Sequence, residues 1–158
     1  MKNTEGTRFL NDIDRTRNRI ALLLQKRQEL ETKATSYSIQ YNKIGGTNHG
    51  HTDKTGHLAI LIADTDEKIK ATSDKLKFQT NVLRDYIKRI DGFEEQSVLR
   101  LRYIHNNSYD EIADILFIST RSVFLARKRA LQELDKIIVQ EKERIRESWK
   151  KNECHEKR

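Results

Sequence analysis

The stretch SYDEIADILFISTRSVFLARKRALQEL, residues 108–134, predicts two helices joined by a short connection. Ser108 and Glu111 have the spacing of a capping box, in which each residue hydrogen-bonds the other at a helix N-terminus. Ser119 is a second capping residue, and the helix that follows it contains no proline to interrupt it. The connection FIS, residues 117–119, is as short as the turn of a helix-turn-helix, and we predict that motif here.

The inward positions of this stretch fit the packing of a helix-turn-helix. Ile112 and Ala113 place an apolar residue and then a small one where the two helices would cross. The other predicted core positions are Leu116, Ile118, Val123 and Ala126. Phe117 stands where the turn usually has glycine, because the backbone there tends to positive φ. We therefore expect either a differently built turn or a strained phenylalanine that covers the core.

The outward positions carry a concentration of positive charge. Residues 119–130 hold four basic side chains and no acidic one, whereas residues 91–118 hold two basic and six acidic side chains. We expect the second segment to bind double-stranded DNA, and the alternative is a solvated basic helix face. The candidate DNA-binding residues are Ser119, Thr120, Arg121, Ser122, Phe124, Leu125, Arg127, Lys128 and Arg129. Arg121 is the strongest candidate for reading a base, and the triplet 127–129 is expected to hold phosphates.

A third helix is predicted before this pair. In DGFE, residues 91–94, Asp91 and Glu94 have the spacing of an N-cap and its partner in a capping box. The three helices would be about 13, 9 and at least 15 residues long, with the last running to about Trp149. Residues 91–140 are therefore expected to form a trihelical domain.

The preceding part of the chain, residues 1–90, follows two heptad patterns. Seam positions of the first are Phe9, Ile13, Thr16, Ile20, Leu23, Arg27, Leu30, Ala34, Tyr37, Tyr41 and Ile44. Those of the second are Leu58, Ile62, Thr65, Ile69, Thr72, Leu76, Gln79, Leu83, Tyr86 and Ile90. Glycine-rich residues 45–57 predict a loop between them, so the expected fold is all-α, with an antiparallel coiled-coil hairpin before the trihelical domain. Two helices bury little surface, and we expect a homo-oligomer, a dimer or tetramer; another protein or the C-terminal domain are the alternatives.

Composition bounds the class of protein. Charged and apolar residues each make up 35% of the chain and proline is absent, which is typical of long solvent-exposed helices. No apolar run approaches the roughly 18 residues of a membrane span, and Met1 is not followed by an apolar signal segment. Cys154 is the single cysteine. These features predict a cytoplasmic protein without membrane contact.

Other candidate sites are weak. His49, His51, His57 and Asp53 crowd the predicted loop, but no thiolate accompanies them and a glycine-rich loop is a poor metal cage. No arrangement of nucleophile, base or phosphate loop suggests catalysis, so we expect neither an enzyme nor a cofactor. The charged tail, residues 141–158, is either a second partner-binding surface or a solvated helix end.

The segment VLRLRYIHNNSYDEIADILFISTRSVFLARKRALQEL, residues 98–134, resembles region 4 of bacterial sigma factors through its LRLRY, EIA and RALQEL elements. Residues 1–138 are similar to small proteins of phages and prophages of Gram-positive bacteria, in which a DKTG element, here 53–56, precedes the second helix. They are also similar to late transcriptional regulators of the ArpU and RinA type. The resemblance implies a transcriptional activator that recruits host RNA polymerase to late packaging, structural or lysis genes.

The reading face departs from the sigma pattern. Among the positions that align with base-contacting residues of that family, Phe124 and Leu125 are apolar and only Arg121 is a strong base reader. The sigma target sequence therefore does not carry over. Two other functions fit the same layout. One is a small terminase subunit that binds a packaging site, and the other is a protein-interaction module in which Phe124 and Leu125 form the binding face.

Overall fold

The computed structural model describes residues 4–43 and 52–156, with side chains described at 4–36 and 56–147. Its helices are α1 (Glu5–Lys43), α2 (Thr52–Ile87), α3 (Phe93–Leu99), α4 (Tyr109–Leu116) and α5 (Thr120–Glu156), and a π-helical segment, Arg100–Ile104, continues α3. No strand occurs in these residues, which confirms the all-α prediction. None of the described helices contains a stretch apolar enough to cross a membrane.

The two long helices agree with the heptad patterns. Every predicted seam position whose side chain is described is buried or half-buried, from Phe9 to Ala34 and from Leu58 to Ile90. The predicted loop 45–57 is wrong at its end, because α2 already begins at Thr52. Residues 52–57 contain no proline and one glycine, so little opposes a helix there, and the DKTG element lies in its first turns. Residues 45–51 of the predicted loop, and Tyr37, Tyr41 and Ile44 of the seam, fall outside the described side chains.

The chain divides into two compact units, and the divisions fall inside α1 and α2. One unit joins Met1–Asp14 to Phe78–Arg158, and the other is Arg15–Lys77. In the first unit the backbone N–H of Gly6 donates to Asp135 Oδ1 at 2.6 Å, and Lys142 pairs with Glu5 at 2.7 Å. These contacts attach the start of α1 to α5, so residues 1–14 belong to the same compact unit as α5.

The second unit contains the middle of both long helices. Arg27 of α1 pairs with Asp66 of α2 at 2.6 Å. Thr65 is buried on the seam, and its hydroxyl donates to the Leu61 carbonyl of its own helix at 2.7 Å. The buried polar group is thus satisfied within α2 and does not need a partner across the seam.

The three short elements pack on the first half of α5 around one apolar cluster. The buried members are Val98, Ile112, Ala113, Val123 and Ala126, and Leu101, Tyr109, Leu116 and Ile118 pack against them half-buried. The inward positions predicted for residues 108–134 are therefore confirmed as core. The connector 117–119 also lies where the sequence predicts it.

The start of α3 differs from its prediction. Its N-cap is Gly92, with φ 99°, and no side chain caps the helix. The Asp91 N–H donates instead to Glu133 at 2.9 Å, and the Gly92 carbonyl accepts from Gln96 at 3.2 Å. The positive φ of Gly92 redirects the chain one residue after Asp91, so the predicted Asp91–Glu94 capping box is wrong. At the other end of the unit, α5 continues to Glu156, beyond the predicted end near Trp149.

Candidate nucleic-acid interface

The helix that precedes the candidate surface begins with the predicted capping box. The Ser108 N–H donates to the Glu111 carboxylate at 2.6 Å, and the Glu111 N–H donates to Ser108 Oγ at 3.3 Å. The hydrogen bond from the Ser108 backbone lowers the pKa of Glu111 below its ordinary value. Because both backbone donors are satisfied, α4 has a defined first turn from which Tyr109 projects.

A serine also caps α5. The Ser122 N–H donates to Ser119 Oγ at 3.1 Å, and the two hydroxyl oxygens are 2.8 Å apart. Thr120, the first helical residue, donates its hydroxyl to Asp110 Oδ1 of α4 at 3.4 Å. Ser119 and Ser122 thus define the first turn of α5, and Thr120 bonds that turn to α4.

The turn between α4 and α5 has the geometry that usually requires glycine, although Phe117 occupies it. Phe117 has φ 54° and ψ 40°, and its N–H bonds to the Asp114 carbonyl at 3.3 Å while the Ile118 N–H bonds to Ala113 at 3.1 Å. Its side chain is 95% exposed. The turn is therefore not built differently, and Phe117 does not cover the core. The strain of a left-handed phenylalanine is present without any compensating burial in the described residues.

One face of α5 is directed outward near its N-terminus. Arg121, Leu125 and Lys128 recur at spacings of four and three, so they share this face, and all three are exposed. Within the described part of the chain, neither Arg121 nor Lys128 makes a hydrogen bond or an ion pair through its side chain. Their charged groups are therefore available to an external anion or hydrogen-bond acceptor. We call these three residues the outward face.

The other two cations of the segment contact neighbouring elements. Arg127 donates to the Tyr103 hydroxyl at 3.1 and 3.4 Å. Arg129 pairs with Glu95 at 2.5 Å and with Glu94 at 3.4 Å. Two members of the basic triplet 127–129 therefore have partners, and only Lys128 has none among the described residues. Phosphate contacts by the two arginines would have to share or replace these bonds.

An aromatic and cationic stack connects α4 to α5. The rings of Tyr109 and Phe124 are 4.6 Å apart at an interplanar angle of 41°. The guanidinium carbons of Arg102 and Arg127 lie 5.2 and 5.9 Å from the centroid of the Tyr109 ring. Burial raises the pKa of Tyr103, so its hydroxyl remains protonated as a neutral partner for Arg127. The stack orients Phe124, which is 48% exposed, at the edge of the outward face.

Sequence reasoning missed Tyr109 and Arg102 as contributors to this site. Both belong to elements before α5, and the periodic patterns that predict helices do not show which side chains of different helices meet. The only sequence signal is that residues 100–109 contain two arginines and two tyrosines. That signal is also typical of an ordinary solvated helix face.

The histidine cluster is only partly described. His49 and His51 lie outside the described residues, as does the side chain of Asp53, whereas His57 lies in α2. Among the side chains that the structure describes, no three histidine, cysteine or acidic residues gather as metal ligands.

Comparison with known proteins identifies a family. No curated protein and no solved structure matches the chain significantly. A family model matches residues 33–135, which is more than half of the chain and includes the outward face. The family is described as proteins of unknown function, DUF1492. The chain therefore belongs to the DUF1492 family.

Proposed function

We propose that the chain is a sequence-specific DNA-binding transcriptional regulator, with α4 and α5 as a helix-turn-helix and α5 as the recognition helix. The observation that supports this most directly is the outward face at the N-terminal end of α5. In helix-turn-helix proteins the first turns of the second helix contact base edges in the major groove. Arg121 and Lys128 are exposed there without partners among the described side chains.

Each residue of the outward face would contact a different part of the DNA. The forked guanidinium of Arg121 is suited to the paired acceptors of guanine, so Arg121 would specify a base. Lys128, two turns further on, would hold a phosphate, which positions the protein without reading sequence. Leu125, which is 51% exposed, fits against a thymine methyl group.

The long helices would form an antiparallel coiled-coil hairpin that brings two or four copies together. In the unit Arg15–Lys77, the Arg27–Asp66 ion pair joins α1 to α2. Seam residues such as Ile20 and Ile69 are only half-buried there, and they would gain burial from a second copy. A two-fold dimer would place two recognition helices on adjacent half-sites of a palindrome.

The regulatory role rests on the resemblance of residues 98–134 to sigma region 4. By that analogy, the protein activates late packaging, structural or lysis genes of a Gram-positive phage or prophage by recruiting host RNA polymerase. This regulatory role is an analogy with sigma region 4, because one domain architecture can serve many binding functions.

A second candidate function is protein binding by the same end of the domain. Phe117, Phe124 and Leu125 are 95%, 48% and 51% exposed, which is a large apolar area for a surface otherwise rich in charge. A module that binds another protein through these side chains would need no contact with DNA.

Mapping of chain-bound DNA across the genome of the bacterium that carries the gene separates these functions. Peaks at promoters, lost in Lys128→Ala and retained in the control Lys70→Ala, are the expected result. Lys70 is an exposed residue of α2 without an ion pair among the described residues. A single peak at a packaging site, together with a ring-shaped assembly in solution, would replace the regulator by a terminase subunit. An absence of peaks would favour the protein-binding module.

A further inference from the structure

A small basic pocket lies on the side of the domain formed by the end of α2 and the π-helical segment. Its volume is about 220 Å³, and it is lined by Arg84, Ile87, Lys88, Arg100, Ile104 and His105. All six residues belong to the same compact unit, and none belongs to α4 or α5. The pocket is therefore separate from the outward face of the recognition helix.

The π-helical segment determines which side chains line this pocket. The His105 N–H bonds to the Arg100 carbonyl at 3.2 Å, which is the five-residue spacing of a π turn. In an α-helix, residues five apart diverge by more than a third of a turn, whereas the π turn brings Arg100 and His105 closer to one face of the helix. Single π turns inside helices occur frequently at functional sites. Here Arg100 and His105, at the two ends of the π turn, both line the pocket.

The pocket contains more positive than negative charge. Arg84, Lys88 and Arg100 line it, and no carboxylate does. Lys88 pairs with Asp85 at 3.1 Å, whereas Arg84 bonds only the neutral Asn81, at 3.2 Å, and Arg100 has no side-chain partner among the described residues. Two guanidinium groups thus face a small cavity without a carboxylate partner in the described structure. An anion between them would relieve their mutual repulsion.

We propose that this pocket binds a phosphate group. Guanidinium forks and a lysine ammonium are the side chains that proteins use most for phosphate oxygens. The floor is apolar, because Ile87 is buried and Ile104 half-buried, and an apolar floor strengthens charge interactions at the rim. The volume is below the roughly 300–1,000 Å³ of sites for whole drug-sized molecules, which fits a phosphate with little attached.

The phosphate could come from a nucleic-acid backbone or from a free phosphorylated molecule. Both present phosphate oxygens that accept hydrogen bonds from the guanidinium and ammonium groups. The proposal does not depend on the DNA-binding function proposed above, because its residues lie outside α4 and α5.

Titration of the full chain with inorganic phosphate at low ionic strength tests the pocket, with isothermal calorimetry as the readout. We expect saturable binding of one phosphate per chain. Arg100→Ala should weaken this binding about tenfold or more, because it removes a charge-assisted hydrogen-bond donor. The control Lys136→Ala, an exposed lysine of α5 without an ion pair among the described residues, should bind as the parent does. Equal binding by Arg100→Ala and Lys136→Ala would overturn the proposal, and so would an absence of saturable binding.

Two further measurements sharpen the result. Arg84→Ala should weaken phosphate binding as Arg100→Ala does, and thermal unfolding of each variant shows that a loss of binding is not a loss of fold. Acetate at the same concentration should not compete, since it lacks a tetrahedral set of oxygens; equal competition would overturn the proposal in favour of unspecific anion attraction.

DNA binding by Arg100→Ala distinguishes the two sources of the phosphate. If the source is a nucleic-acid backbone, the variant lowers the slope of log affinity against log salt by about 0.9 for B-DNA. If DNA binding is unchanged while phosphate binding is lost, the ligand is a free phosphorylated molecule. Both results support the pocket, and a loss of DNA specificity in Arg121→Ala reports on the recognition helix alone.

Discussion

Phe117 is the residue at which the domain departs most clearly from the ordinary chemistry of its turn. A left-handed conformation costs a residue with a β-carbon roughly 1–2 kcal/mol relative to glycine. The side chain regains nothing from burial within the described structure, since it is 95% exposed. A residue that costs stability and remains at the surface is typical of a binding position.

Phe117→Gly should therefore raise the free energy of unfolding by about 1 kcal/mol, because glycine adopts φ 54° without strain. Urea unfolding of the full chain measures the change. The control is Ile115→Gly, an exposed position in the last turn of α4, which should lower the free energy of unfolding by about 1 kcal/mol. A decrease in Phe117→Gly as well would mean that the aromatic ring stabilises the domain.

Arg127 shows how a single residue can have two plausible roles. Its place in a basic triplet predicts a phosphate contact, and the structure has it bonded to the Tyr103 hydroxyl and stacked near Tyr109. This arrangement holds the third turn of α5 against the π-helical segment. A phosphate contact by Arg127 stays a prediction. Its hydrogen bond to Tyr103 is present in the structure, at 3.1 Å.

At the scale of single elements, two glycines have opposite roles. Gly92 has φ 99°, and a β-carbon there would collide with the Glu95 carboxylate. Glu95 is the partner of Arg129, so the collision would also disturb an ion pair between α3 and α5. Gly56 lies in α2, and a β-carbon there would meet nothing within 4 Å.

Gly92→Ala should lower the free energy of unfolding by about 1–2 kcal/mol through backbone strain alone. Gly56→Ala should raise it by up to about 1 kcal/mol, because alanine is the better helix former. Chemical denaturation of both variants, followed by circular dichroism, makes the comparison. Changes of the same sign would contradict the assignment of Gly92 as the turn before α3.

The capping box of α4 predicts a dependence of stability on pH. The pKa of Glu111 is lowered by its hydrogen bond from the Ser108 backbone, so the ionised carboxylate favours the folded state. A lowered pKa contributes stability that is present above the unfolded value, near 4.5, and is lost as the pH falls through the folded value. The difference in unfolding free energy between the parent and Glu111→Gln should therefore shrink below pH 4.5.

Denaturation curves between neutral and acid pH measure this difference. Glu147→Gln serves as the control, because Glu147 is exposed on α5 and has no ion pair among the described residues. Its difference from the parent should stay constant over the same range. If the Glu111 and Glu147 variants show the same pH dependence, the capping box does not contribute through the charge of Glu111.

At the scale of the whole molecule, the first residues of the chain belong to the same compact unit as the candidate DNA-binding helices. Leu10 is only 1% exposed in this unit, and Gly6 and Glu5 bond to α5. The stability of the C-terminal part therefore depends on residues far from it in sequence. A fragment that begins at residue 91 would lack this support.

Leu10→Ala should lower the free energy of unfolding by about 2–5 kcal/mol, since it removes a fully buried side chain and leaves a cavity. Leu22→Ala is the matched control; Leu22 is 67% exposed in the unit Arg15–Lys77, and its loss should change stability by no more than about 0.5 kcal/mol. Calorimetric unfolding of the two variants measures the contrast. Equal effects would show that the start of α1 does not support the first unit.

Local pattern was enough to predict much of this fold. The heptads predicted both long helices and their seams, and the spacing of Ser108 and Glu111 predicted the start of α4, because these signals depend on near neighbours along the chain. The predicted cap at Asp91 is wrong because Gly92, with its positive φ, is the N-cap residue instead. The loop prediction overran because glycine-rich composition does not locate the first helical residue.

Features that depend on tertiary structure could not be predicted in this way. The Tyr109–Phe124 stack, the Arg127–Tyr103 bond and the basic pocket beside Arg100 each join residues from different elements. The sequence predicted all four cations of residues 119–130 as DNA-binding residues and could not show that Arg127 and Arg129 bond to neighbouring elements while Arg121 and Lys128 are exposed. DNA binding by that face stays a prediction.

Selection of bound duplexes from a pool of random DNA sequences tests the central claim most directly. The full chain should enrich one motif. Arg121→Ala should lose preference at one base pair at a cost of about 1–3 kcal/mol, whereas Lys128→Ala should weaken all sequences alike. The control Lys70→Ala should select the motif as the parent does. The account is contradicted if the parent enriches no motif, or if Arg121→Ala and Lys128→Ala both bind and select as the parent does.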